Sequence, residues 1–286
     1  MRWEGDRQSE NVEDRRGMSV SGRGLALGGI GTIIVTLIAL YLGVDPSALL
    51  DQIATTAPPG VQQQGGPSSR SPEENKLAEF SSVVLADTED VWGQVFKQNG
   101  ATYANPKLVL YTGAVESACG FAQAAMGPFY CPNDRKLYLD LSFFNDLHTR
   151  YGASGDFAQA YVIAHEVGHH VQNQLGILEK ARVAQEGASK QTANAIQVRV
   201  ELQADCLAGV WANKADQMKH VLESGDIEEA LAAAAGVGDD RLQRKARGYV
   251  VPESFTHGTS AERQHWFSVG AKSGDMGRCN TFSAAR

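Results

Sequence analysis

His165, Glu166 and His169 stand in an H-E-x-x-H pattern within AQAYVIAHEVGHHVQNQLG, residues 158–176. On a helix, positions i and i+4 share a face. His165 and His169 can therefore aim two imidazoles at one point, and neutral imidazole is a good ligand for Zn²⁺. Glu166 sits one step round the helix, where it can take a proton from a water activated by a metal without being a ligand itself.

A catalytic zinc keeps three protein ligands and one open position, so a third ligand must come from another element. The stretch Glu201-Leu202-Gln203-Ala204-Asp205 supplies one. Glu201 and Asp205 are again i and i+4. Glu201 completes a His₂Glu set, and Asp205 accepts a hydrogen bond from the far ring nitrogen of His165, fixing its tautomer. A solvated acidic face is the plain alternative for this pair. His170 points about 100° away from His169 and faces a pocket wall or solvent. His257 lies in a loop before a short helix and is a candidate catalytic donor to an oxyanion. Arg263 is placed to hold Asp205 or the substrate. His148, His220 and His265 lack such context and read as structural or exposed.

Two helices must position these groups. Phe157, Ala160, Ala164, Val167, Val171 and Leu175 recur at helical intervals around the H-E-x-x-H pattern. Ser154 or Asp156 is the expected N-cap, and Gly176 the stop. Gln191 to Asn213 is the second helix, with Ile196, Val200, Leu207, Val210 and Trp211 on its apolar face. Upstream, Glu73 to Asn99 reads as one helix, with Leu77, Phe80, Val84, Val91, Val95 and Phe96 on or near one side. Lys107 to Tyr111, a run ending at Phe129-Tyr130-Cys131, and Lys136 to Leu141 read as strands of a small sheet with a turn at Pro132-Asn133-Asp134. An edge strand there could take an extended peptide by strand addition. Gly120 and Gly127 suggest bends. Thr259 and Glu262 fit a capping box that opens a helix through Trp266 and Phe267. Asp226 to Ala235 is an alanine-rich helix, Asp239 to Arg247 a charged one, and Gly248 to Glu253 a connector.

Gly24 to Val44 is a 21-residue run without charge, long enough to span roughly 30 Å of hydrocarbon. It reads as an uncleaved transmembrane anchor; a cleaved signal peptide is the competing reading, disfavoured by the 23 residues before it and the lack of an Ala-x-Ala site. Arg15, Arg16 and Arg23 precede the run, and no basic residue follows until Arg70. The bias places the N-terminus in the cytoplasm and the remainder on the periplasmic, extracytoplasmic side of the inner membrane. Residues 1–23 form a polar tail without a core, 45–71 a Pro/Gly/Gln-rich linker, and 72–286 the folded domain. The four cysteines form no C-x-x-C pair, and their even number fits two disulfides in an oxidising compartment. Cys119 with Cys131 and Cys206 with Cys279 is one of three possible pairings. A net charge of −7 argues against nucleic acid as a partner. No phosphate-binding glycine loop and no G-x-S-x-G elbow is present.

HEVGHH followed by ELQAD, the glycine-rich N-terminal anchor, the later FTHGTSAER and the opening MRWEGDRQSENVEDRRG resemble the bacterial neutral zinc metallopeptidases over nearly the whole chain. The motif pair is more distantly similar to membrane metallopeptidases that process prenylated or misfolded membrane proteins. The resemblance implies a zincin-like core with His165, His169 and Glu201 on zinc and Glu166 as base. The expected fold is α+β, a small sheet with helices that carry the metal. The expected function is a membrane-anchored zinc endopeptidase acting on a peptide or protein substrate. A non-catalytic zinc-binding scaffold and a zinc amidase acting on cell-wall peptide are the alternatives.

Overall fold

The computed structural model describes residues 1–18 and 70–283. The expected span Gly24–Val44 and nearly all of the linker lie outside the described residues. Among the described residues no helix is long and apolar enough to cross a membrane.

Helix α1 (Pro72–Gln98) starts where Ser71 accepts a hydrogen bond from the Glu74 N–H at 3.0 Å and Pro72 occupies the first turn. Its middle is buried on every side, from Phe80 to Thr88. It packs against the two helices that carry the site. Its buried Asp87 is met by Lys219 Nζ at 2.5 Å.

The sheet has four strands in the order β1 (Val12–Asp14), β2 (Lys107–Tyr111), β6 (Lys136–Asp140) and β5 (Phe129–Cys131). β1, β2 and β6 run parallel, and β5 returns antiparallel to β6. Alternation divides the faces. Leu108, Leu110, Leu137 and Leu139 pack in the helical core, whereas Val109, Tyr111 and Tyr138 pack in a second cluster with Val115 and Ala122. Those last two belong to a separate hairpin, β3 (Ala114–Ser117) and β4 (Gly120–Gln123), which the sequence suggested only as bends. The Cys119–Cys131 disulfide ties that hairpin to β5, and Cys206–Cys279 ties residues near the C-terminus to a central helix, which selects one of the three pairings the sequence left open.

Composition marked residues 1–23 as a tail without a core, and here the structure differs. Met1–Arg16 belongs to the same compact unit as Arg70 onward. Met1 is buried in the core, Trp3 packs edge-on to Phe80 at 5.2 Å, and β1 forms the sheet's edge. A few apolar residues among many charges suffice because the charges are paired: Arg7 meets Glu89 and Asp90, and Arg16 meets Asp14 and Glu74.

The remaining helices are α2 (Ser142–Thr149), α3 (Asp156–Gln174), α4 (Ile177–Gln185), α5 (Lys190–Lys219), α6 (Asp226–Gly236), α7 (Asp239–Arg247) and α8 (Ser260–Ser273). The expected N-caps of α3 are not used. Gly155 takes the cap position without a side-chain bond, and Ser154 pairs with His148. The Phe157 N–H is instead satisfied from outside the helix, by Glu229 Oε2 of α6 at 3.1 Å. α5 runs past the expected end at Asn213 to Lys219. The capping box of Thr259 and Glu262 opens α8 as its sequence requires.

Candidate metal centre

Two close helix contacts assemble the site. α3 and α5 meet at Gly168, where a Cβ atom would lie 3.0 Å from the Ala204 carbonyl oxygen and 3.1 Å from Ala204 Cα. α5 and α8 meet at Gly270, where a Cβ would fall 1.9 Å from the Cys206 carbonyl oxygen. Side chains at a contact set the interaxial distance, so these glycines let the helices approach. The first contact brings the histidines to Glu201, and the second brings Arg263 to Asp205.

His165 Nε2 lies 3.2 Å from Glu201 Oε2, and His169 Nε2 lies 3.6 Å from the same oxygen. One ligand atom from each of the three residues falls within 4.8 Å of the others. Zinc bonds of 2.0–2.1 Å place tetrahedral ligand atoms about 3.3 Å apart, so the set fits a zinc ion. The opposite ring nitrogens are already committed. His165 Nδ1 donates to Asp205 Oδ1 at 2.9 Å, and His169 Nδ1 donates to Gln172 Oε1 at 2.9 Å. Gln172 Nε2 in turn donates to the Val200 carbonyl at 2.8 Å and to Gln203 Oε1 at 2.9 Å, clamping α3 to α5. Both Nε2 atoms are thereby left facing the common point, and Gln197 Nε2 steadies the other oxygen of Glu201 at 2.9 Å.

Asp205 is fully buried and accepts from four donors: His165, Tyr161 OH at 2.5 Å, Arg263 Nε at 2.8 Å and Arg263 Nη2 at 2.9 Å. Burial alone would raise its pKa, but Arg263 and His165 outweigh it and bring the carboxyl down to about 2. Burial likewise opposes charge on His165, yet Asp205 and Glu201 push the imidazole up to about 9. Burial also works against an ionised Glu201, and the two histidines hold its carboxyl well below the usual range despite it.

His165, His169 and Glu201 line a cleft of about 540 Å³, with Asp205 buried behind them. Glu166 lines it beside His165, His169 and Glu201. Phe129 and Tyr130 of the edge strand β5 line one side; Phe143, Leu147, Tyr151, Val162 and Leu242 form an apolar wall. His257 lines the cleft too. Its loop wraps the carboxylate of Asp239, whose Oδ2 accepts from the backbone N–H of Thr256 at 2.8 Å, His257 at 2.6 Å and Gly258 at 3.0 Å. Asp239 Oδ1 lies 3.4 Å from His257 Nδ1, and this hydrogen bond raises the His257 pKa.

Arg263 holds Asp205, one of the two roles foreseen for it. His170 differs from expectation: it is fully buried, donating from Nε2 to the Ala104 carbonyl at 2.7 Å and accepting from Tyr130 OH at Nδ1, 3.0 Å away. It ties the site helix to the edge strand, and burial lowers its pKa to about 4. Tyr161, Gln172 and Asp239 were missed. Tyr161 lies four residues before His165 on α3, and that spacing alone could have placed it near Asp205. A second acidic group, Asp156, Asp226 and Glu229, is taken up by the Met1 amino group and the Phe157 N–H.

The chain is similar to the uncharacterized protein YpfJ of Escherichia coli K12, 53% identical over 290 residues that cover 99% of each chain. It is similar also to the uncharacterized protein Mb2605 of Mycobacterium bovis, 42% identical over 263 residues and 86% of each chain. No solved structure matches. The family model described as "Putative neutral zinc metallopeptidase" matches residues 1–282, and the chain belongs to that family.

Proposed function

We propose that this protein is a zinc-dependent endopeptidase. The observation that carries the reading is the convergence of His165 Nε2, His169 Nε2 and Glu201 Oε2 on the floor of a cleft that Glu166 also lines. Zinc held by those three residues would supply a Lewis acid that polarises a peptide carbonyl and acidifies water. Glu166 takes the proton from the attacking water and returns it to the leaving amine. His257 donates a hydrogen bond to the oxyanion as charge develops there. Asp205, Tyr161 and Arg263 hold the His165 ring in the tautomer that leaves Nε2 free to bind.

The cleft favours internal bonds of a polypeptide. Among the described residues β5 is an edge strand paired with β6 alone, which suits addition of an extended substrate strand. The Asp, Glu, Lys and Arg residues lining the cleft are Glu166, Glu201 and Arg263, and Arg263 is spent on Asp205. The apolar wall suits large apolar side chains. Residues 24–44 hold the enzyme at a membrane through their 21-residue apolar run.

The test is Glu166→Gln. The variant is expected to retain stoichiometric zinc while cleavage of an apolar-rich peptide library falls by roughly 10²–10⁴-fold, the usual range for a lost general base. Undiminished cleavage would remove Glu166 from the mechanism. Absence of cleavage by the zinc-loaded wild type across the library would remove the peptidase reading.

A further inference from the structure

Arg16 and Arg70 are the points at which the chain leaves the compact body and returns to it. They are neighbours. Arg70 Nη2 donates to the Arg16 carbonyl at 3.2 Å, and Arg70 Nη1 donates to Asp14 Oδ2 at 2.7 Å. The residues before Arg16 are built into the body along their length. Val12, Glu13 and Asp14 pair in register with Leu108, Val109 and Leu110, and Arg15 N–H donates to the Leu110 carbonyl at 2.8 Å. Ser9 Oγ donates to Glu89 Oε1 at 2.5 Å, and Ser9 N–H to the Ser82 carbonyl at 3.1 Å. Stripping the tail away would strand these buried polar groups, at a cost of roughly 1–3 kcal/mol for each one left unpaired.

A bilayer has a hydrocarbon core of about 30 Å. Groups in hydrogen-bond contact cannot lie on opposite sides of it. We infer that residues 1–16 and the metal-binding body occupy the same side of the membrane. The inference rests on the membrane attachment proposed above and is independent of catalysis. Two of the three basic residues that argued for a cytoplasmic N-terminus have other employment, and the third, Arg23, lies outside the described residues. Arg16 is 5% exposed and bonds Asp14 and the Glu74 carbonyl, and Arg15 pairs with Glu13. Charges consumed inside a folded body are weak topological signals, because the bias concerns loops that flank a span.

The test uses the full-length chain in bacterial cells with an intact inner membrane. A thiol is introduced at one exposed position in the tail, Glu10→Cys, and in a second variant at one in the body, Lys272→Cys; the four native cysteines are paired. A membrane-impermeant maleimide is applied before and after lysis, and the chain is followed into the membrane pellet. The expected result is a chain that sediments with membranes and two positions that share one fate, both labelled in intact cells or both labelled only after lysis. Labelling of one position and protection of the other would overturn the inference, and recovery of the chain in the soluble fraction would overturn the membrane attachment on which it rests.

Discussion

The guanidinium of Arg263 meets the carboxylate of Asp205 through two hydrogen bonds, Nε to Oδ2 at 2.8 Å and Nη2 to Oδ1 at 2.9 Å, with both groups buried. The pair is bidentate and excluded from water, which fixes the carboxylate in plane as well as in charge. Asp205 Oδ1 also accepts from His165 Nδ1, so Arg263 acts on the metal ligand through one intermediary. Arg263→Met leaves Asp205 buried without its guanidinium partner, with only His165 and Tyr161 donating to it. The expected loss is about 3–5 kcal/mol of folding stability, with metal affinity falling roughly 10–100-fold. Thermal unfolding and a competitive chelator titration measure the two effects. The double variant Arg263→Met/Asp205→Leu should recover much of the stability and none of the metal affinity.

Gly168 makes a different prediction, because it touches no ligand. Its hydrogen faces Ala204 across the α3–α5 contact. Gly168→Val must push the helices apart at the level where His165 and His169 meet Glu201, or distort one of them. Overpacking of this kind costs about 1–3 kcal/mol. The expected signature is a chain that still folds, with secondary structure retained by circular dichroism, and binds zinc at least tenfold more weakly. Unchanged zinc affinity would mean the helix separation does not govern the site.

The site was legible where chemistry is local and illegible where it is relayed. H-E-x-x-H and Glu201-x-x-x-Asp205 announce themselves because helical geometry converts a four-residue spacing into a shared face. Arg263 was half legible, as a cation with two possible partners. Asp239 opens a charged helix and reads as solvated, and only the fold shows the Thr256–Gly258 loop closing on it. The N-terminal strand was hidden for a related reason. Val12-Glu13-Asp14 has neither the length nor the alternation of a strand, and it is one because the β2 edge and the pairing of Glu13 with Lys136 make it so. Glu229 capping α3 is likewise a contact between elements that no local signal encodes.

Asp239 sets the orientation and the charge of His257. Its carboxylate holds three consecutive backbone N–H groups of the loop and lies against His257 Nδ1, which raises the imidazole's pKa. In the oxyanion role proposed for it a cationic His257 is the better donor, so activity is expected to fall as pH rises through that pKa. Asp239→Asn keeps the shape and removes the charge. The expected outcome is an alkaline limb of kcat/KM displaced to lower pH and a fall in kcat that exceeds any change in KM. His257→Ala should abolish the displacement, and NMR titration of the His257 ring should show the same downward shift. An alkaline limb that stays in place in Asp239→Asn would leave Asp239 as a loop clasp without influence on the chemistry.

The attachment of β1 should itself be pH-dependent, with a sign fixed by Glu13. Burial works to raise the Glu13 pKa, but Lys136 and Arg15 outweigh it and bring the carboxyl from 4.5 to about 2. Lys136 Nζ donates to both its oxygens, at 2.8 and 3.1 Å. A carboxyl with a folded-state pKa below its unfolded value binds fewer protons when folded, so its contribution is present in full above pH 4.5 and is lost as pH falls from there toward 2. Glu13→Gln forfeits that contribution at neutral pH, about 1 kcal/mol for a partly exposed ion pair. The wild type should therefore exceed Glu13→Gln in Tm at pH 7, with the difference closing as the wild-type carboxyl titrates below pH 4.5. Salt should narrow the gap at pH 7, because the pair is partly exposed to solvent. A difference that stays constant down to acid pH would assign the effect of the substitution to packing, and Lys136 would then hold β1 by its stem and not by its charge.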